Sequence, residues 1–430
     1  MTTLFNVSLW GDEAFSALAA QKALGPMLQI VFRDTSPPLF YLISFFWFRL
    51  FGSSEIAIRT LSFLFYLATS VIIYFLGKYL FNRKTGLLAS LLTFSNPFLF
   101  PYAFEGRMYF CLLFFVVLSF YCLVRSFRWG YILAATAALY SHHFAIFALA
   151  AQFLWQLSQT KERRAFLEVF KPYLIIALLY LPWLYPLYLQ TSRVAGGFWL
   201  GRPTIHHLFG SIKNFFVANI PYQSGQKYAY LATLITLLLR RWQKEKRHYD
   251  LLFILWALTP LILTFLISQT KLSIFYERYL LYSVPPLMLL LASQRRRISL
   301  FLLGFILAVY LSSSWHQFTH PFKKPFREFA SWIKTHTESD LPLVNYNGNA
   351  HHLWESKYYG LKAPIYSPRP LPFYVGTAQM TDQDIIRQLP QREFGLITSD
   401  DPKKIRFPSY QTQLIYQLDS LYFLRVKPKQ

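Results

Sequence analysis

Apolar segments long enough to cross a membrane recur along this chain between residues 55 and 315. Of its 430 residues, 54% are hydrophobic and only 15% are charged. A helix needs about 20 mostly apolar residues to cross the hydrocarbon core of a bilayer. Inside lipid the backbone can satisfy its own hydrogen bonds only as a helix or a closed barrel. The pattern therefore predicts an α-helical polytopic membrane protein.

We predict about ten spans and orient them by the basic residues between them. The predicted spans are residues 55–80, 85–103, 107–127, 130–141, 144–158, 168–190, 228–240, 250–269, 278–293 and 298–315. Basic clusters fall at alternate ends, at residues 83–84, 125–128, 161–164, 240–247 and 295–297. The positive-inside rule makes those ends cytoplasmic. Residues 129–158 could be one span or a hairpin turning at 141–143, and the charge at 161–164 favours the hairpin.

This alternation places the unusual polar residues on the opposite, non-cytoplasmic face. We interpret residues 36–52 as an interfacial helix that begins after Pro37-Pro38, because counting it as a span would invert every later loop. Only eleven residues precede Asp12, too few for a span or a signal peptide. We therefore expect a first span upstream of residue 1.

After residue 316 the pattern becomes that of a soluble domain. Helices are predicted at Pro325–Thr335 and Asp382–Leu389, and strands at Leu341–Tyr346, Phe394–Thr398 and Leu414–Val426. We predict three parts: an outer-face loop with the interfacial helix (1–54), a transmembrane helical domain (55–315) and a small extracytoplasmic α/β domain (316–430). The expected location is the inner (plasma) membrane, crossed many times.

Charge and cysteine content exclude two other classes of protein. The net charge is +23, but the basic residues form short clusters between apolar runs and no nucleic-acid-binding motif occurs. We therefore expect no nucleic-acid partner. Cys111 and Cys122 are the only cysteines and share one predicted span, which indicates neither a disulfide framework nor a metal site.

Carboxylates on the outer face are the first candidate functional groups, because acids are scarce here and costly near hydrocarbon. Asp12 and Glu13 lie together ahead of the first span, Asp34 follows Arg33, and Glu105 is two residues before Arg107. A structural alternative exists for each. Asp12 and Asp34 could cap helices, and Glu105 with Arg107 could be an intrahelical ion pair.

Cations on that face are the second set. Lys271 and Arg278 oppose the positive-inside trend, which indicates binding of an anion such as phosphate. Arg59, four residues after Glu55, could be only an ion pair on one helix. His142 and His143 are candidates for an acceptor or metal site, although adjacent histidines on a helix point about 100° apart. Two further histidine pairs, 206–207 and 351–352, are expected to face solvent.

In their order along the chain, these segments resemble the membrane glycosyltransferases of the GT-C superfamily. They resemble in particular the bacterial relatives of the protein O-mannosyltransferases and of the aminoarabinose transferase that modifies lipid A, glycosyltransferases of the family 39 type. The resemblance is carried by Trp10–Ala14, Asp34–Leu39, Glu55–Arg59, Glu105–Tyr109, Tyr140–Phe144 and Arg278–Leu280. One departure is Ser36, where such proteins commonly have a histidine before Pro-Pro.

The resemblance implies an enzyme that moves a sugar from a polyprenyl-phosphate donor to an acceptor hydroxyl, with inversion. Asp12 would be the general base, while Glu13 would orient the acceptor or exchange roles with Asp12. Stabilisation of the lipid phosphate would fall to Arg59, Arg107, Lys271 and Arg278. Asp34 and Glu105 would position these cations or the sugar. The acceptor (lipid, protein or glycan) and a requirement for a divalent metal ion stay open.

Two other functions compete with this one. A multispan transporter should place its polar site near the membrane midplane, often between inverted repeats, and no such repeat is visible in the sequence. A ligase that transfers a whole lipid-linked glycan would share the outer-face chemistry. A non-catalytic scaffold, in contrast, predicts that every outer-face carboxylate can be replaced without loss of function.

Overall fold

A computed structural model describes residues 2–160, 163–197, 199–240, 247–270, 272–294, 296–346 and 351–429. The chain divides into two compact units. The first comprises Met1–Thr35, Tyr41–Ile58 and Pro321–Gln430, and the second Ser36–Phe40 and Arg59–His320. Segments that are far apart in the sequence therefore build the first unit together.

Short helices form the amino-terminal part of the chain. They are α1 (Gly11–Gln21), α2 (Leu24–Arg33) and α3 (Leu39–Phe51). Helix α3 occupies the stretch predicted to be an interfacial helix. It leaves large apolar side chains exposed, among them Phe46, Leu50 and Phe51. Such a surface suits contact with a bilayer.

A long series of helices follows. Their bounds are α4 (Glu55–Leu80), α5 (Arg83–Phe94), α6 (Tyr109–Val124), α7 (Arg128–Ser141), α8 (Ala145–Gln159), α9 (Arg163–Tyr180), α10 (Leu184–Ala195), α11 (Ile205–Val217), α12 (Gln223–Leu238), α13 (Arg247–Ile267), α14 (Val284–Ala292) and α15 (Arg297–Thr319). Among the described residues of this series, 3₁₀ turns occur at Phe100–Phe104, Leu181–Trp183 and Glu277–Ser283. The predicted hairpin at residues 141–143 is present as the break between α7 and α8.

Within the described residues, four helical segments are long and apolar enough to cross a membrane. They are Glu55–Leu80, Phe166–Ala195, His248–Ile267 and Arg297–Thr319. The other apolar helices are shorter. The span predicted at 85–103 is wrong as one helix, because α5 ends at Phe94 and Pro97 and Pro101 follow. Proline lacks the backbone N–H that a continuing helix needs.

Close packing of α4 and α5 depends on glycine. A Cβ placed on Gly86 would lie 2.5 Å from the carbonyl oxygen of Tyr74 and 2.7 Å from the backbone nitrogen of Lys78. One placed on Gly77 would lie 2.8 Å from the Cα of Gly86. Small residues let membrane helices approach each other closely, so this contact fixes the two helices.

The carboxyl-terminal part of the first unit has the α/β composition that the sequence predicts. Its helices are α16 (Phe326–His336) and α17 (His351–Tyr358). The strands are β1 (Leu343–Asn345), β2 (Ile365–Tyr366), β3 (Ile385–Ile386), β4 (Phe394–Thr398), β5 (Tyr410–Leu418) and β6 (Leu421–Pro428). They form one sheet in the order β3-β2-β1-β4-β6-β5. Strands β1 to β4 pair in parallel, and β6 pairs antiparallel with β4 and β5.

Buried side chains on α16 hold this sheet. Phe329 and Ile333 pack with Ile397 of β4 and Phe423 of β6 in a single apolar cluster. A second cluster is built around Val344, Phe394, Leu396, Leu424 and Val426. The central strand β4 is buried along its whole length.

Details of this part correct the sequence prediction. Residues 382–389 are a 3₁₀ turn followed by β3, because the Asp384 carboxylate accepts hydrogen bonds from the backbone and hydroxyl of Thr381 and closes the turn. The single strand predicted at 414–426 is the hairpin of β5 and β6. It turns at Asp419, which adopts a φ of +52°. His352 is buried and bonded to Glu355 at 2.6 Å, and so does not face solvent.

We expect Gly86→Ala to lower the free energy of unfolding by about 1–3 kcal/mol, the usual cost of overpacking a tight contact. Gly304→Ala in α15 is the matched control, because a Cβ there meets no atom within 4 Å. Thermal unfolding of both variants in the same detergent measures the difference. Equal melting temperatures would show that the α4–α5 contact does not need glycine.

Candidate active site

Asp12 and Glu13 lie in the first turn of α1, but their side chains have different surroundings. Glu13 is fully buried, and its Oε2 accepts a hydrogen bond from the backbone N–H of Trp10 at 3.3 Å. Asp12 is half-buried, and its carbonyl accepts from the Ser16 hydroxyl at 3.1 Å. The structure therefore separates two carboxylates that the sequence alone cannot distinguish.

Glu13 also forms a buried ion pair. Lys323 Nζ donates to Glu13 Oε2 at 2.8 Å, and the two side chains are only 4% and 0% exposed. The ammonium group lies 6.0 Å from the centre of the Trp10 ring. Removing one member of a buried pair leaves an uncompensated charge. Both residues therefore support the conformation of the first turn of α1.

Tyr359 joins this segment to the start of α4. Its hydroxyl accepts from the backbone N–H of Leu9 at 2.7 Å and donates to Glu55 Oε1 at 3.1 Å. Burial raises the pKa of the Tyr359 phenol, so the proton that Glu55 accepts stays in place. Glu55 thus has a hydrogen-bond donor from the carboxyl-terminal part of the first unit.

The backbone at residues 6–8 is held by Arg327 and Glu328. Arg327 Nη1 donates to the carbonyl of Asn6 at 3.0 Å, and its backbone N–H donates to the Ser8 hydroxyl at 3.0 Å. That hydroxyl donates to Glu328 Oε2 at 3.1 Å. Burial raises the pKa of Glu328, but hydrogen bonds from Arg327 and Ser8 outweigh it and keep the pKa below its ordinary value. Glu328 is therefore a charged acceptor at neutral pH.

The far side of α1 packs on α17 and the loop after β2. The Phe15 ring meets the Trp354 ring edge-on at 5.2 Å, and Gln379 Nε2 donates to the Phe15 carbonyl at 3.2 Å. Gly376 has a φ of +87°, and a Cβ there would lie 2.9 Å from the Phe15 ring. Only glycine allows both this backbone conformation and this approach.

Asp34 lies at the end of α2, and Arg59 lies within α4. Asp34 is half-buried at the carboxyl-terminal end of α2, where its N–H donates to the Ile30 carbonyl at 2.9 Å. It therefore ends a helix and does not begin one, which corrects the N-cap alternative. Arg59 is completely buried on α4.

Glu105 and Arg107 lie in the second unit, between the 3₁₀ turn at Phe100–Phe104 and α6. They are outside regular helix, which corrects the alternative of an intrahelical pair. The Glu105 carbonyl accepts from the Ser62 hydroxyl at 2.5 Å and from the Arg107 N–H at 2.7 Å. The Glu105 side chain is buried and that of Arg107 is half-buried. This compact turn places a carboxylate and a guanidinium at the start of α6.

Arg278 lies in the 3₁₀ turn at Glu277–Ser283, among tyrosine rings. Its guanidinium carbon is 4.8 Å from the centre of the Tyr276 ring and 5.6 Å from those of Tyr109 and Tyr279. The neighbouring Glu277 carboxylate accepts from Asn214 Nδ2 at 3.0 and 3.2 Å. Contacts of Arg278 and of the preceding Glu277 therefore both hold this turn.

His142 packs against Tyr279, one of the tyrosines around Arg278. It is buried, and its ring centre lies 4.9 Å from that of Tyr279. Burial is the main cause that lowers the pKa of His142 well below its ordinary value, and the positive charges of Arg107 and Arg278 act in the same direction. The structure thus brings His142 and Arg278, more than a hundred positions apart in the sequence, to the same tyrosine ring.

His143 is engaged at both ring nitrogens. Nε2 lies 2.8 Å from Gln190 Oε1 and Nδ1 lies 3.0 Å from the Tyr180 hydroxyl. Since the amide oxygen can only accept, Nε2 carries the proton and Nδ1 accepts from Tyr180. Among the residues that the structure describes, no group of three or more His, Cys, Asp or Glu side chains could hold a metal ion. Lys271, the remaining candidate, lies outside the described residues.

Sequence reasoning missed Lys323 and Tyr359. Each contacts the segment around Asp12 from more than 300 positions away, at separations of 310 for Lys323–Glu13 and 350 for Tyr359–Leu9. The only signal in the sequence was the stretch Pro325–Glu328, which looks like the start of the soluble domain.

Comparison with known proteins finds a family model that matches part of the sequence. The family model of dolichyl-phosphate-mannose-protein mannosyltransferases matches residues 34–189. Asp34, Arg59, Glu105, Arg107 and both histidines fall within that match. No curated protein matches the sequence. The predicted resemblance to the GT-C membrane glycosyltransferases is confirmed.

A particular solved protein has the same fold. ArnT from Cupriavidus metallidurans in the apo state matches with a TM-score of 0.64 at 10% identity, over 98% of this chain and 94% of that chain. The same protein bound to undecaprenyl phosphate matches with a TM-score of 0.59 at 11% identity, over 98% and 95%. The chain is a multi-pass membrane protein with the GT-C fold, and it is similar to ArnT over nearly its whole length.

Proposed function

We propose that this protein transfers a sugar from a polyprenyl-phosphate donor to an acceptor hydroxyl on the extracytoplasmic face of the plasma membrane, with inversion at the anomeric carbon. The observation that carries the proposal is a cluster in the helical unit, where Arg278 and His142 both lie against Tyr279. Arg278 also lies 5.6 Å from the centre of the ring of Tyr109, two residues after Arg107. The similar ArnT structure that is bound to undecaprenyl phosphate supports a lipid phosphate as the ligand of such a fold.

Arginine suits the phosphate end of this reaction. Its planar guanidinium can bind two phosphate oxygens at once, and it stabilises the negative charge that a phosphate leaving group gains. The tyrosine rings around Arg278 hold the guanidinium by cation–π attraction. His142, neutral because its pKa is lowered, adds no third charge and can act only as a hydrogen-bonding group. We assign the lipid phosphate to Arg107 and Arg278, with Arg59 and Lys271 as further cations.

Asp12 suits the role of general base. A base needs an ionised group within about 3 Å of the hydroxyl whose proton it takes. Asp12 is half-buried and so partly accessible, whereas Glu13 is fully buried in its ion pair with Lys323. We therefore assign the base to Asp12 and a supporting role to Glu13. Asp34 and Glu105 would position the cations or the sugar.

The reaction balances as a single displacement. The acceptor oxygen forms a bond to the anomeric carbon as the bond from that carbon to the phosphate oxygen breaks. The acceptor proton passes to Asp12, and the bonding electron pair leaves with the polyprenyl phosphate. Attack opposite the leaving group inverts the anomeric configuration. No oxidant, reductant or further substrate is needed.

We expect Asp12→Asn to lower turnover by about 100- to 10,000-fold, because an amide cannot accept the proton. Asp382→Asn, at an exposed aspartate of the carboxyl-terminal part, is the matched control. The measurement is release of label from radiolabelled undecaprenyl-phosphate sugars to membrane-extract acceptors. Turnover of Asp12→Asn near that of Asp382→Asn would show that Asp12 is not the base.

We expect Arg278→Ala to weaken binding of undecaprenyl phosphate by about 10- to 100-fold, the loss typical of a hydrogen bond to a charged group. Arg125→Ala is the control, because Arg125 also lies over a tyrosine ring, 4.6 Å from the centre of Tyr79, at the other end of α6. Native mass spectrometry of the purified proteins with added undecaprenyl phosphate compares the two. If both variants bind equally, Arg278 has only a structural role.

We expect the α/β part to be extracytoplasmic and the start of α5 to be cytoplasmic. Both native cysteines are buried, so single added cysteines can be labelled on a low background. In intact cells, a membrane-impermeant maleimide should label Gln413→Cys on exposed strand β5 but not Lys84→Cys. Labelling of Lys84→Cys alone would reverse the orientation and contradict the proposed face of reaction.

A further inference from the structure

Lys323 is a cation with a buried side chain that pairs with Glu13, the residue next to the proposed base on α1. It follows the last helix of the second unit by only four residues and belongs to the first unit. Its ammonium donates to Glu13 Oε2 at 2.8 Å, and both side chains are almost completely buried. A buried ion pair adds little to the stability of the fold, because the cost of desolvating both charges offsets most of their attraction. The pair therefore indicates a role other than stabilising the fold.

Glu13 uses one oxygen for two partners. The same Oε2 accepts from Lys323 and from the N–H of Trp10, which is the residue before α1. Lys323 thereby fixes the direction in which the first turn of α1 begins. Asp12 lies between Trp10 and Glu13, so the position of its carboxylate depends on that turn.

The chain ahead of this turn is also held. Arg327 binds the Asn6 carbonyl, and the Tyr359 hydroxyl binds the Leu9 N–H. Residues 6–9 are thus held, and Phe15 is packed on Trp354. The first turn of α1 joins these two segments. Lys323 and Glu13 supply its constraint.

We propose that Lys323 is a positioning residue for the transfer reaction, acting through Glu13 to fix the carboxylate of Asp12. The inference rests on the proposed function. In this role Lys323 touches neither the donor nor the acceptor. A displacement of about 1 Å at a reacting group can cost about a hundredfold in rate, so a positioning role is measurable.

The test compares three variants of the full-length protein. Lys323→Met removes the charge, Lys323→Arg keeps it, and Lys324→Met is the matched control because the Lys324 side chain takes no part in these contacts. Turnover is measured with a panel of radiolabelled undecaprenyl-phosphate sugars. Hydrogen–deuterium exchange is followed in peptides from residues 8–16, with residues 394–426 as the internal standard for folding.

We expect Lys323→Met to lower kcat by about 10- to 100-fold while KM for the donor stays within about threefold of wild type. Lys323→Arg should recover most of kcat, and Lys324→Met should match wild type. Exchange at residues 8–16 should rise in Lys323→Met, and exchange at residues 394–426 should stay unchanged. A residue with only a structural role would not lower kcat selectively and regain it with arginine.

Full activity of Lys323→Met, or unchanged exchange at residues 8–16, would overturn the inference while leaving the proposed function intact. A wild-type protein that consumes no donor in the panel would instead overturn the proposed function. If Lys323→Met fails to fold, Glu13→Gln replaces it. That variant keeps an acceptor for the Trp10 N–H and removes the charge, and it should lower kcat in the same selective way. Wild-type kcat in Glu13→Gln would overturn the inference.

Discussion

The cost of leaving a charge unpaired in an apolar molecule shapes this protein throughout. Acidic residues number 20 against 43 lysines and arginines, so carboxylates are the scarce partner. Buried or half-buried carboxylates are paired with cations on several elements. They include Glu13 with Lys323, Asp250 with Arg240, and Asp384 with Lys357. Each pair joins two segments of the chain, so removing one member would leave an uncompensated charge.

The excess of cations is accommodated in a second way, by aromatic faces. Arg49 lies 3.2 Å from the centre of the Phe45 ring, Arg125 lies 4.6 Å from that of Tyr79, and Arg278 is surrounded by three tyrosines. A ring attracts a guanidinium without neutralising it. An arginine held in this way keeps its full positive charge, which suits a site that binds an anion.

The sequence was sufficient to predict several of the long helices, but not the long-range partners of the candidate residues. Apolar periodicity placed α4, α6 and α13 within a few residues, because hydrocarbon leaves the backbone little choice. The prediction failed where prolines break a span after Phe94 and where local hydrogen bonds of Asp384 close a turn. Asp12 and Glu13 stood out as a pair, yet only the fold separates them. Lys323 lies 310 positions from Glu13, and no local pattern could connect them.

The chemical identity of the donor is the most direct test of this account. Wild-type protein in nanodiscs would be given the same labelled sugar on undecaprenyl phosphate, on undecaprenyl diphosphate and on a nucleotide. We predict consumption of the monophosphate lipid only, with one free undecaprenyl phosphate formed for each sugar transferred. Consumption of the nucleotide or diphosphate donor, or movement of an intact donor across the membrane without bond cleavage, would contradict it.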